Sequence, residues 1–142
     1  MVDELAHKQV TEVIRAVFLL KLVEVKQGAA IGHTAGVVPK GEITERQAAA
    51  NLVADVLNVE KRLAVCAPVK IPPQVYDALV SFSFNVGTGA ACRSTLVSFI
   101  KRQQWPQACD QLTRWVYVNG EINKGLENRR ARERAYCLRG IQ

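Results

Sequence analysis

The chain has only two histidines, His7 and His33, and no C-x-x-C pair among its four cysteines. Both histidines lie far along the sequence from Cys66, Cys92, Cys109 and Cys137, so a zinc site of ordinary ligand spacing is not expected. No phosphate loop and no dinucleotide fingerprint occurs. Ser81, Ser94 and Ser98 lack the surroundings of a nucleophile elbow. The expectation is a chain without a metal and without an organic cofactor. No uncharged apolar run approaches the roughly 20 residues needed to cross a bilayer. Glu12, Arg15, Lys21 and Glu24 interrupt the stretch Val10–Val25, so no stable membrane insertion is expected. Asp3 and Glu4 stand where a cleaved export signal has its basic start. No internal repeat is evident.

What is present fits one domain of at most two small lobes. The 142 residues are 49% hydrophobic and 23% charged, and a chain of this length buries about 70% of its unfolded surface. Nineteen Lys and Arg against thirteen Asp and Glu leave a net charge of +6. That balance suits nucleic acid, an acidic lipid face or an anionic wall polymer, and has no bearing on fold. All four cysteines lie at or after position 66, with three pairings open. Two disulfides in an oxidising compartment and four buried thiols in the cytosol are both compatible with the pattern.

Apolar periodicity predicts mostly helix. Leu5, Val10, Val13, Ile14, Val17 and Leu20 recur at helical spacing between Asp3 and about Val25. Gln27–Gly41 holds four glycines and Pro39 and reads as a loop or a small irregular hairpin, the only β-element expected. Thr44-x-x-Gln47 is a capping box opening a helix to about Leu63, with Ala48, Leu52, Val56 and Val59 inward. Pro73 can open the next helix, Gln74–Phe84, which is so apolar that it becomes the candidate central helix. Asn85-Val86-Gly87-Thr88-Gly89 stops it. Ser94 can cap a helix over Thr95–Gln103, and Pro106 opens another to about Tyr117. Asn119-Gly120 is a turn signal, and a last helix starts at Asn128 or the preceding turn and ends at Gly140.

The last helix carries Arg129, Arg130, Arg132, Arg134 and Arg139. Such a helix can grip nucleic-acid phosphates. Ala131, Ala135, Cys137 and Leu138 nevertheless give it an apolar face for packing, and its arginines read as a solvated face. The segments around Gly87 do not suit a helix-turn-helix, because the helix before the turn is apolar on all sides. No nucleic-acid partner is expected. Glycoside hydrolysis requires a proton donor and a group that holds or activates water. Glu45, Asp55, Glu60, Asp110, Glu127 and Glu133 read as surface carboxylates. Glu12 and Glu24 flank an apolar stretch, where burial would raise a carboxyl pKa toward that of a general acid. On one continuous helix they lie about 18 Å apart and cannot act as a pair. His33 and Thr34 form a polar pair in a glycine setting.

Read together, these segments resemble phage-type lysozymes, the endolysins of glycoside hydrolase family 24. Gly32-His33-Thr34 resembles the Gly-His-Thr that follows the family's β-hairpin. Asp77 to Gly89 resembles its central helix and turn. Cys92-Arg-Ser-Thr-Leu, Ala108-Cys-Asp-Gln-Leu-Thr-Arg-Trp-Val-Tyr and Gly125-Leu-Glu-Asn-Arg-Arg-Ala-Arg-Glu follow in the family's order. The resemblance runs from about Gly32 to Leu138. It implies a two-lobed, mostly helical α+β fold, with a small lobe and first helix over residues 1–43 and a helical lobe over 44–142. It also implies a peptidoglycan cleft, with cleavage between N-acetylmuramic acid and N-acetylglucosamine in host cell lysis. By the same resemblance Asn85, Asn128 and Arg129 are substrate-binding positions, Trp115 is a core residue, and the disulfides are Cys66–Cys92 and Cys109–Cys137.

The family's catalytic Glu, Asp and Thr are not recovered in register. Counting back from His33 places Val13 at the Glu, with Glu12 one residue away, Leu22 at the Asp and Gly28 at the Thr. The expected catalytic residues are therefore Glu12 or Glu24 as the acid and Thr34 holding water. The alternative is a lysozyme-fold protein that binds peptidoglycan without efficient cleavage. The resemblance further implies a monomer made in the host cytoplasm that acts in the periplasm or at the cell wall.

Overall fold

A computed structural model describes residues 45–141. The chain divides into two compact units, Met1–Asn58 and Val59–Gln142, and the described part of the first is the beginning of one long helix. That helix, α1 (Glu45–Cys66), runs three residues beyond the expected Leu63. Val56, Val59 and Leu63 are its buried stripe, whereas Ala48 is exposed and Leu52 half-buried. Gln47 donates from Nε2 to Asn51 Oδ1 at 2.9 Å, one turn along. Thr44, the other half of the expected capping box, lies outside the described residues, as do the predicted first helix and the Gln27–Gly41 segment.

The second unit is built around α2 (Pro73–Val86), opened by Pro73 as expected. Its stretch Val75, Ala78, Leu79, Val80, Ser81, Phe82 and Ser83 is buried, as an almost wholly apolar helix requires. Gly87 ends it at φ +93° and ψ 141°, a backbone conformation essentially confined to glycine. The chain then resumes at once as α3 (Thr88–Cys92), a short helix the sequence pattern did not indicate. Ser94 caps α4 (Thr95–Lys101): its Oγ accepts from the Val97 amide at 3.2 Å and donates to the Ala91 carbonyl at 2.6 Å. This helix stops short of the expected Gln103, which takes φ +60°.

Pro106 lies in the first turn of α5 (Trp105–Gln111), which tightens into a 3-10 turn, Leu112–Arg114. Asn119 and Gly120, at φ +52° and +83°, join β1 (Tyr117–Val118) to β2 (Glu121–Ile122). Both central φ values are positive, as a two-residue hairpin of matching twist demands. Tyr117 pairs with Ile122 and Val118 with Glu121. The hairpin corrects the expectation that any β-element would sit near residues 25–41. The last helix, α6 (Lys124–Arg139), begins before Asn128 because Asn123 caps it, accepting from the Leu126 amide at 2.9 Å. It packs along α2.

Disulfides join Cys66 to Cys92 and Cys109 to Cys137, with Cα atoms 5.7 and 5.8 Å apart, within the span a disulfide bridges without distortion. The first ties the end of α1 to α3 and the second ties α5 to α6. Both pairings are those implied by the resemblance. No helix among the described residues is long and apolar enough to cross a membrane.

Candidate functional site

The buried face of α6 is not the alanine face expected from sequence. Ala131 and Ala135 are exposed, and Arg129, Arg130, Glu133 and Cys137 are buried. Two arginines and a glutamate read as solvated are thus core residues. The spacing 130, 133, 137 is one helical stripe, and it faces α2, whose buried Ser81 meets it. Arg130 Nη1 donates to Glu133 Oε1 in an ion pair whose two side chains are each 1% exposed. Ser81 Oγ donates to Glu133 Oε2 at 2.6 Å. Arg130 Nε donates to the Trp115 carbonyl at 3.0 Å, and its guanidinium lies 5.2 Å from the centre of the Phe82 ring. Phe82 in turn takes Trp115 edge-on, with ring centres 5.0 Å apart.

The electrostatics of this cluster are unbalanced. Burial pushes the Glu133 carboxyl up from the ordinary glutamate value, against the downward pull of Arg130, the Ser81 hydroxyl and Arg129. Those partners are what favour its ionised form. Burial lowers Arg129, Arg130 lowers it further, and Glu133 opposes both. Among the described residues, one buried carboxylate therefore faces two buried guanidiniums. Arg129 Nε has no hydrogen-bond partner among the described residues, and neither does Ser83 Oγ.

Of the predicted site residues, the structure links Asn85 to the helix that carries the other two. Asn85 stands exposed in the last turn of α2 and accepts through Oδ1 from Arg130 Nη2. Asn128 is half-buried in the early part of α6, next to buried Arg129. Glu12, Glu24 and Thr34 lie outside the described residues. Trp115, expected in the core, is half-buried and helps line an open groove of about 500 Å³ with Thr95, Phe99, Gln111 and Arg114. Glu60, read as a surface carboxylate, is half-buried and accepts from the Tyr76 hydroxyl at 2.7 Å. Among the described residues no group of His, Cys, Asp or Glu could hold a metal ion.

Arg130, Glu133 and Ser81 were not found by sequence reasoning. A signal was available: Glu133 lies four residues before Cys137, on the stripe that a disulfide cysteine marks as inward. A buried, donor-rich cluster that reaches the surface at an asparagine can orient a polar ligand. By itself it does not supply a proton donor for hydrolysis.

Comparison with known proteins identifies the setting of this cluster. The family model for phage lysozyme matches residues 11–133. The SAR-endolysin of Bacteriophage PS119 is 40% identical over 112 residues, covering 78% of this chain and 67% of that protein. The active form of the P1 phage endolysin Lyz superposes with a TM-score of 0.66 at 26% identity, over 75% of this chain and 67% of that one. The muramidase domain of SpmX from Asticaccaulis excentricus superposes with a TM-score of 0.61 at 27% identity, over 68% of each. The matched segment contains the central helix, three of the four disulfide cysteines and the whole Asn85–Arg130–Glu133 connection, and by that match the chain belongs to the phage lysozyme family.

Proposed function

We infer that the chain is a phage lysozyme that degrades peptidoglycan, hydrolysing the bond between N-acetylmuramic acid and N-acetylglucosamine during host cell lysis. The observation that carries this reading is the family match across residues 11–133, supported by endolysin relatives over 78% of the chain. The reaction needs a carboxylic acid that protonates the glycosidic oxygen as the bond breaks, and a water that attacks the anomeric carbon. Glu12 or Glu24 supplies that proton, and Thr34 holds the water. Asn85 and Asn128 bind the substrate. Arg129, the third expected binding position, provides a buried positive charge on the same helix as Asn128. The enzyme is made in the host cytoplasm, works as a monomer and reaches its substrate in the periplasm or at the cell wall, where the net charge of +6 favours an anionic polymer.

Clearing of a peptidoglycan suspension tests the reading. The wild type is expected to lower turbidity and release reducing ends, and a Glu12→Gln, Glu24→Gln double variant to do neither. Equal clearing rates for the two proteins reject the assignment of the acid, and no clearing by the wild type rejects the enzyme.

A further inference from the structure

We propose that Arg130 is a positioning residue for substrate binding: it holds the acceptor oxygen of Asn85 and so turns the amide to present its N–H donors to the wall polymer. The proposal rests on the lysozyme reading and adds to it the chemical class of group that Asn85 recognises.

A guanidinium has donors and no acceptor. Of the two ends of the Asn85 amide, only Oδ1 can therefore face Arg130 Nη2, as it does. The guanidinium is itself immobilised. Nη1 is bound to Glu133, Nε to the Trp115 carbonyl at 3.0 Å, and one face lies over Phe82. Glu133 is fixed in turn by Ser81 at 2.6 Å. Turning Arg130 away would break hydrogen bonds buried from water, each expensive to leave unmade. Asn85 stands at the exposed end of this chain of contacts. An exposed asparagine without such a partner flips freely and offers either its oxygen or its nitrogen. Here the oxygen is held toward Arg130, and Nδ2, directed the other way, is left to donate. Its complement is an acceptor oxygen. Peptidoglycan offers carbonyl oxygens on its N-acetyl groups and on its stem peptides, and the two sources share that chemistry.

Asn85→Asp separates the two ends of the amide. It keeps an oxygen for Arg130 and removes both N–H groups, whereas Asn85→Ala removes everything. In clearing kinetics both variants are expected to raise KM about fivefold or more, the loss of one or two hydrogen bonds, with kcat little changed, because the lost contact is made equally in ground and transition states. The Asp variant should melt no lower than the wild type, since its carboxylate pairs with Arg130. Asn85→Asp with an unchanged KM overturns the proposal, as does a fall in kcat at constant KM. The same assay on peptide-free glycan strands locates the acceptor: a KM effect that persists there assigns the N-acetyl carbonyl, and one confined to intact wall assigns the stem peptide. A readout without substitution is the NMR order parameter of the Asn85 side-chain amide, expected well above the flexible range, which lies below about 0.6. A freely mobile amide overturns the role of Arg130. Failure of the wild type to clear defeats the lysozyme reading, and wild-type clearing with an unaffected Asn85→Asp defeats only this proposal.

Discussion

Glu133→Gln changes the shape of the α6 core very little and its charge completely. The glutamine still accepts from Ser81, but Arg130, 1% exposed, loses its paired carboxylate, and Arg129 beside it loses the one carboxylate among the described residues that favoured its charged form. Removing one partner of a buried pair costs about 3–5 kcal/mol, because the other charge stays desolvated. The Arg134–Asp110 pair is an internal control on the same helix. Its side chains are 42% and 58% exposed, and exposed pairs of this kind contribute about 0–1 kcal/mol. At about 4 °C per kcal/mol for a chain of this size, Glu133→Gln should lower Tm by about 12–20 °C and Asp110→Asn by no more than about 4 °C. Circular dichroism melts and urea titrations at neutral pH, with the disulfides intact, measure both. A third variant tests the cause: Ser81→Ala, Arg130→Met and Glu133→Leu together replace the polar cluster by apolar volume and should destabilise less than Glu133→Gln alone. A loss for Glu133→Gln no larger than for Asp110→Asn would refute the reasoning.

Two further outcomes follow from the packing of α6. Replacing Cys109 and Cys137 by alanine opens a loop with a sequence separation of 28 and should cost about 3.5 kcal/mol by the chain-entropy relation; an unchanged urea midpoint under non-reducing conditions would show that α5 and α6 hold together without the bridge. The Tyr136 hydroxyl donates to Asp77 at 3.0 Å, and burial together with the Asp77 charge pushes its pKa above the ordinary tyrosine value. The folded state therefore holds this proton more tightly than the unfolded chain, so its stabilising effect is present below about pH 10 and is lost as pH rises through the folded value. Absorbance titration should find Tyr136 ionising above the ordinary tyrosine value, with Asp77→Asn bringing it earlier; a Tyr136 that titrates at or below that value contradicts the contact.

The helices were legible because their signals are local. A near-continuous apolar run fixed α2, Pro73 its start, Ser94 the cap of α4, and Asn119-Gly120 the turn. Where strands have only two residues each, alternation has no room to show, so the turn signal was visible and the strands were not. The start of α6 was legible only as Asn128 or the preceding turn, although Asn123 stood in position to cap. The interior of α6 failed for a different reason. Arginine and glutamate are rarely buried unless paired, and a single sequence does not show which cation will meet which anion across two helices. Arg130 and Glu133 are three residues apart, a spacing shared with many exposed pairs, and the third and fourth partners, Ser81 and the Trp115 carbonyl, lie 52 and 15 positions away.

Stability alone does not account for a charged cluster at this place. Apolar side chains of similar volume at positions 81, 130 and 133 would avoid the desolvation of two charges and often hold a core as well or better. What they could not do is reach the end of α2 with a donor. The Arg130 guanidinium spans that distance: one edge is neutralised in the core by Glu133, and one nitrogen reaches the Asn85 oxygen at the surface. Glu133 is then required because a lone buried arginine is not tolerated, and Ser81 because a buried carboxylate needs its remaining oxygen satisfied. Each buried polar group on this path is explained by the one outside it, and the sequence of reasons ends at the exposed amide of Asn85.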